Sequence, residues 1–405
     1  MRKLNLLLII FLLTLPMTYM LSLKYITTNY IIVMLITIAA FFKKNPKKKE
    51  KISLDFLLYI GFIIICALGF LFNNNSSDMT FVKHTLSYSF ILICYGIFLP
   101  RYLEKNDIKI EMILKWISIM VLITCSFALL EFFARNFMPS LLNVFQMLKL
   151  DSIAKYDALY FEKYQRSRAF MSESGHFAMF VNAFLPVSLY YLNKYKKKSI
   201  FIIYSIICIS GYVVSFSAGS FVSIAVSFFI IYPMYAIEVR SKKKILFFIM
   251  FLFISLITLY FVKDIPFFQG IKDKLFLVND SGRFWRWQFS YESFRSSSLS
   301  KILFGRGLGY LSYNFDTGST NWFIETLVET GIIGLLTLVS ILGVSIKKII
   351  SLKSEFKYFI LIGLISMIIQ YNIISDYWYP WIWTTMALTK YFKYVEYLEE
   401  GDGDN

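Results

Sequence analysis

The chain has 405 residues, of which 57% are hydrophobic and 19% aromatic, and its formal net charge is +16. Uncharged apolar runs of about 18 or more residues recur along it, which excludes an ordinary soluble domain built from amphipathic elements. The positive charge does not point to nucleic acid. Lys and Arg cluster in the gaps between apolar runs, as in Lys43-Lys-Asn-Pro-Lys-Lys-Lys, Lys194-Tyr-Lys-Lys-Lys and Arg240-Ser-Lys-Lys-Lys, which is the composition of short cytoplasmic loops near anionic headgroups.

Met1-Arg-Lys followed by Leu4 to Leu21 resembles a secretory signal, but no small-residue cleavage site follows and many spans do, so it reads as a first helix. Apolar runs predict spans at 4–22, 25–42, 54–72, 81–99, 112–134, 172–192, 199–215, 217–237, 245–262, 321–346, 358–374 and 377–393. The expected fold is an all-α polytopic integral membrane protein of about twelve transmembrane helices, one membrane domain over 1–405. With the N-terminus inside, the inner segments collect most Lys and Arg, whereas the short outer turns hold only Lys24 and Lys83. Both termini are then cytoplasmic, with a tail at 394–405 whose acidic end reads as disordered. Two long extracytoplasmic loops remain, 135–171 and 263–320. Cys66, Cys94, Cys125 and Cys208 lie in apolar runs and read as small membrane-core hydrophobes.

The loop at 135–171 begins after Glu131. Leu141, Val144, Phe145, Leu148 and Ile153 recur at helical spacing, predicting an amphipathic helix over 140–156 on the outer leaflet. Tyr156, Tyr160, Glu162, Tyr164, Arg166 and Arg168 follow, then Phe170-Met-Ser-Glu-Ser-Gly-His-Phe-Ala. Glu173 and His176 are spaced for one helical face. A lone His is more often a satisfied interface residue than a catalyst, but this one shares its side with Arg168 and Glu173. His84 is the only other histidine, and Asp402-Gly-Asp404 the only Asp-x-Asp, on the cytoplasmic tail. No metal is expected, and a metal-dependent sugar-nucleotide transferase is disfavoured.

In the loop at 263–320, Gly305-Arg-Gly-Leu-Gly follows no strand and carries no Lys-Ser/Thr, which excludes a nucleotide loop. Two readings stay open: a tight turn needing positive φ, or amides that with Arg306 form an anion cradle. Over 283–295, Phe284, Trp287, Tyr291 and Phe294 share one helical face, and Arg283, Arg286 and Ser290 an adjoining one. The guanidinium groups either snorkel to lipid phosphates or hold a diphosphate bidentately. Asn321, Glu325 and Glu329 form a stripe at i, i+4, i+8 in the following span. Carboxylates there are costly, so they are either functional or ion-paired with a loop Arg. Gly331 and Gly334 permit close helix packing.

In order and spacing these motifs resemble the O-antigen ligase/polymerase superfamily. Arg283-Phe-Trp-Arg-Trp resembles its Arg-x-x-x-Trp, Phe304-Gly-Arg-Gly-Leu-Gly its Phe-Gly-x-Gly-x-Gly, and Thr320-Asn-Trp-Phe-Ile-Glu-Thr-Leu-Val-Glu-Thr-Gly-Ile-Ile-Gly its re-entry helix. Arg168-Ala-Phe-Met-Ser-Glu-Ser-Gly-His-Phe-Ala resembles the segment before its middle helix. The resemblance implies a GT-C-like, metal-independent and cofactor-free glycosyltransferase of the bacterial cytoplasmic membrane. It would join undecaprenyl-diphosphate-linked oligosaccharide repeat units into O-antigen or capsular polysaccharide at the outer face, with membrane lipids and a chain-length regulator as partners. Arg283, with Arg168 and either Arg286 or Arg306, would neutralise the diphosphate. Glu173, with His176 or Glu325 as the other candidates, would act as general base. Trp287, Asn321 and Glu329 complete the expected substrate contacts. The ligase branch typically carries His where this chain has Thr320, which favours a Wzy-type polymerase over a ligase acting on lipid A core. A transporter, suggested by helix number, is disfavoured because no repeated halves are visible.

Overall fold

The computed structural model describes residues 3–18, 27–43, 53–71, 79–141, 160–161, 164–246, 248–250, 282–315 and 318–402. Helix takes 82% of them. In chain order the helices are α1 (Lys3–Thr14), α2 (Thr28–Phe42), α3 (Leu54–Leu71), α4 (Met79–Asn106), α5 (Ile110–Phe137), α6 (Ser174–Tyr195), α7 (Lys198–Val213), α8 (Ala218–Glu238), α9 (Arg283–Arg295), α10 (Leu299–Phe304), α11 (Tyr310–Phe315), α12 (Trp322–Ile350), α13 (Phe356–Gln370) and α14 (Pro380–Asp402).

Five of these, α4, α5, α6, α8 and α12, are long and apolar enough to cross a membrane. Thr28–Phe42, Leu54–Gly69, Lys198–Val213 and Phe356–Gln370 are apolar but shorter. The chain thus has the build of a multi-pass membrane protein. Most of the predicted span at 245–262, residues 142–156 of the predicted amphipathic helix, Glu162, and the loop from 263 to 281 lie outside the described residues. Two details differ from expectation. Tyr160–Phe161 pairs antiparallel with Tyr164–Gln165, and α14 runs through the predicted tail to Asp402. There Glu396 accepts the backbone N–H groups of Lys353 (3.0 Å) and Ser354 (3.3 Å), and Lys353 pairs with Glu400 at 2.9 Å. Those contacts stabilise a segment whose composition alone reads as unstructured.

α6 packs between α5 and α13, α13 also against α8, and α3 against α12. Lipid-exposed faces supply no hydrophobic drive between spans, so polar contacts and close packing must hold them together. Asn182 Nδ2 donates to the Ser220 carbonyl (3.0 Å) and Ser223 Oγ (3.2 Å), and Gln370 Nε2 donates to the Gly175 carbonyl (2.9 Å). The opposite faces of α7 and α8 expose Ile203, Ile206, Ile230 and Ile237, as suits a lipid boundary. One end of the bundle gathers the C-terminus of α5, a strap at 164–173, the N-termini of α6 and α12, helices α9 to α11, and the turn at 371–379.

Candidate functional site

The strap is fixed to α5 by Glu131. Its Oε2 accepts the backbone N–H groups of Arg168 (2.9 Å) and Ala169 (2.8 Å), and its Oε1 accepts Arg135 Nε (2.9 Å), with Arg168 Nε 3.9 Å away. Ser167 adds bonds from Oγ to the Ala128 carbonyl (2.7 Å) and from N–H to the Val214 carbonyl (3.0 Å). Glu131 and Arg168 are both 0% exposed. A buried carboxylate is tolerated when charge-assisted bonds fill its lone pairs in this way. Ala169 takes φ +50°, a left-handed conformation costly for a residue with a Cβ, and the two amide bonds to Glu131 hold it there. Arg168 therefore lies beneath the strap, donating from Nη1 to the Ser172 carbonyl at 3.3 Å. This placement makes it a support of the site rather than part of its surface.

Above it, the exposed Glu173 stands at the N-cap of α6. Its charge acts on two guanidinium groups, those of Arg166 in the strap and Arg283 at the start of α9, more than a hundred residues apart in sequence. Burial lowers both arginines from their ordinary pKa and Glu173 opposes that shift; Arg283 lowers Arg166 further, and Arg286 does the same to Arg283. Arginine stays charged at such sites. Arg166 and Arg283 thus share the field of one carboxylate, with Arg286 beside Arg283 on α9, a local excess of positive charge suited to a polyanion. Arg166 Nε is buried and has no hydrogen-bond partner among the described residues.

α9 carries Arg283 and Arg286 on its inner side, half-buried with Trp287, while Ser290 and Ser293 are buried and α9 packs on α12. Small serines allow this close approach, and they set the helix rotation. The aromatic face expected at 284–294 is consequently split: Phe284, Tyr291 and also Trp285 are exposed, whereas Trp287 and Phe294 are half-buried. Trp287 Nε1 is buried with no hydrogen-bond partner among the described residues.

The Gly-rich loop takes the tight-turn reading. Gly305, Gly307 and Gly309 have φ of +83°, +93° and +85°. Its amides are already used: Arg306 N–H donates to the Val328 carbonyl and Gly307 N–H to the Glu329 carbonyl, each at 3.0 Å. Those carbonyls are free because α12 kinks at Gly331 (φ +71°, ψ −174°). A Cβ at Gly305 would lie 2.1 Å from the Glu329 carbonyl oxygen. Arg306 is also occupied, donating from Nε to Ser297 Oγ (2.8 Å), from Nη1 to Tyr310 Oη (2.6 Å) and from Nη2 to the Ser293 carbonyl (2.8 Å).

The stripe on α12 likewise faces backbone. Asn321 Oδ1 caps the helix by accepting Phe323 N–H (3.0 Å) and Ile324 N–H (3.1 Å). Glu325 Oε2 accepts Ser319 N–H (3.0 Å), with Ser319 Oγ 3.4 Å from the same oxygen. Glu329 Oε1 accepts Leu311 N–H (3.2 Å). Asn321 and Glu325 fasten the first turn of α12 and Ser319 just before it, and Glu329 holds Leu311, a holding role met by backbone amides in place of the ion pair with a loop Arg that was one of the two readings of the stripe.

His176 is buried at the first turn of α6. Its Nε2 is 2.7 Å from Asp376 Oδ2, and its Nδ1 is 2.9 Å from both Ser172 Oγ and Tyr379 Oη. Sequence reading singled out Glu173, Arg283, Arg286 and His176, which the structure gathers at one end. It gave no role to Glu131, Arg166, Ser172, Asp376 and Tyr379. The residues Ser375-Asp-Tyr-Trp-Tyr-Pro form an aromatic turn, but no spacing in the sequence links them to His176, some two hundred residues away. No protein-family model matches the chain, and no curated protein does either.

Proposed function

We propose that the protein is a membrane glycosyltransferase that polymerises undecaprenyl-diphosphate-linked oligosaccharide repeat units at the outer face of the bacterial cytoplasmic membrane. One observation carries the reading: Arg166 and Arg283, from distant parts of the chain, both lie within the electrostatic reach of Glu173 and of each other, and Arg286 lies next along α9 within reach of Arg283. Cleaving a sugar–diphosphate bond develops negative charge on the leaving group, and preorganised positive charge there is usually the largest catalytic contribution. The half-buried guanidinium groups would supply that charge without a metal ion, and the proton of the incoming hydroxyl would pass to a neighbouring base, Glu173 or His176. The exposed Phe284, Trp285 and Tyr291 offer an apolar surface for a polyprenyl chain beside the charged cluster. Thr320 lacks the basic ring nitrogen that the ligase branch carries as His at this position, which supports the polymerase over the ligase. A deletion strain tests this. Loss of a polymerase leaves surface glycan one repeat unit long; long polymer stranded on its lipid carrier would instead identify a ligase.

A further inference from the structure

The strap, the first turn of α6 and the turn before α14 bring three side chains onto one imidazole. Neutral imidazole has one donor and one acceptor nitrogen, whereas a carboxylate only accepts. With Asp376 Oδ2 at 2.7 Å, Nε2 carries the hydrogen, and Nδ1 presents its lone pair to Ser172 Oγ and Tyr379 Oη, each 2.9 Å away. The two hydroxyls are themselves 2.8 Å apart. The ring is held by packing as well: its centroid is 4.4 Å from that of Tyr379, which stacks on Trp381 at 4.5 Å and 6°.

A clip fastening α6 to the 375–379 turn is the plain alternative, but a clip needs one hydroxyl. Here two compete for a single lone pair while bonding to each other, which is the arrangement of a proton-passing pair. The pair also leads outward. Tyr379 is buried, Ser172 is half-buried, and the next residue is the exposed Glu173 of the guanidinium cluster.

The geometry points to Asp376 as the positioning residue of a proton-accepting unit, in which His176 receives the acceptor hydroxyl's proton through Ser172 and Tyr379; this rests on the transfer reaction proposed above. The acceptor O–H bond breaks as its oxygen bonds to the donor's anomeric carbon. The bond from that carbon to the diphosphate oxygen breaks, and its electron pair leaves on the diphosphate. Each relaying hydroxyl takes one proton and gives one, ending unchanged. The imidazolium formed lies against the ionised Asp376 carboxylate, then returns the proton to water by the same route.

Steady-state lengthening of a lipid-linked repeat unit by the purified full-length protein tests this. Asp376→Asn should lower kcat by about 10²-fold, the lower end of the range for proton transfer by a side chain, with KM for the lipid-linked unit unchanged. Asp376→Glu should recover part of the rate. Ser172→Ala and Tyr379→Phe should each retain most of it, while the double variant falls as far as His176→Ala. Wild-type kcat in Asp376→Asn would overturn the proposal. So would a wild-type rate in the double variant, or loss of kcat, KM and thermal stability together without rescue by Glu. A folded wild-type protein that leaves the unit unlengthened would overturn the transfer reading itself.

Discussion

Arg283 and Arg166, more than a hundred residues apart in sequence, both lie within the electrostatic reach of Glu173, and they are the first residues to test. Arg283→Ala and Arg166→Ala should each slow lengthening by roughly 10²–10³, the cost of removing one preorganised donor. Arg283→Lys should restore little, because an ammonium lacks the guanidinium's bidentate fork. Chain length on glycan gels measures this, with membrane levels of each variant as control. Arg283 was legible because its spacing with Arg286 and Ser290 marks a helical face. Arg166 was not: it sits among charged and aromatic residues without periodicity, and its burial is created by the strap. Arg168 was equally conspicuous in sequence, yet Glu131 draws it under the strap. Glu131→Ala should leave that guanidinium buried without its carboxylate, costing about 3–5 kcal/mol, read as a lowered thermal transition in detergent. An unchanged transition would mean that the strap is held by other contacts.

Among the elements, α12 and the Gly-rich loop form one unit. The kink at Gly331 releases the Val328 and Glu329 carbonyls, and the turns at Gly305 and Gly307 bring amides onto them. Gly305→Ala forces a Cβ to 2.1 Å from a carbonyl oxygen in a left-handed backbone, and Gly331→Ala one to 2.3 Å from the Leu303 carbonyl. Each should destabilise the protein by more than about 1 kcal/mol and open the 305–320 segment to protease. Resistance equal to wild type would contradict the coupling. From sequence the loop supported both a turn and an anion cradle, because the choice depends on where carbonyls twenty residues downstream point. The stripe of Asn321, Glu325 and Glu329 was legible as a face, but what it faced was not. Its partners are backbone amides, which every sequence possesses. The rotation of α9 was hidden for a related reason, since it is set by serines packed on α12 and not by the aromatic residues that dominate its pattern.

At the scale of the whole molecule, apolar run length carried most of what could be read. Ten of the predicted spans, from 25–42 to 377–393, coincide with helices of the described residues, with 4–22 represented by the shorter Lys3–Thr14. Lengths drift because α4 and α14 continue past their apolar runs on contacts that no hydropathy window registers. The orientation proposed from the Lys and Arg distribution predicts opposite labelling at two exposed positions. Trp285→Cys should react with an impermeant maleimide on intact cells, and Glu399→Cys only after permeabilisation. The native thiols are buried and should add little background. The reverse pattern would invert the topology and put the guanidinium cluster on the wrong side for an outer-face reaction. The measurement closest to the central claim is glycan length after incubating the reconstituted protein with an undecaprenyl-diphosphate-linked repeat unit. The account predicts a ladder of longer chains still on the carrier, with free undecaprenyl diphosphate released, and its near loss in Arg283→Ala. A folded wild-type protein that yields no ladder, or an Arg283→Ala ladder equal to wild type, would contradict it.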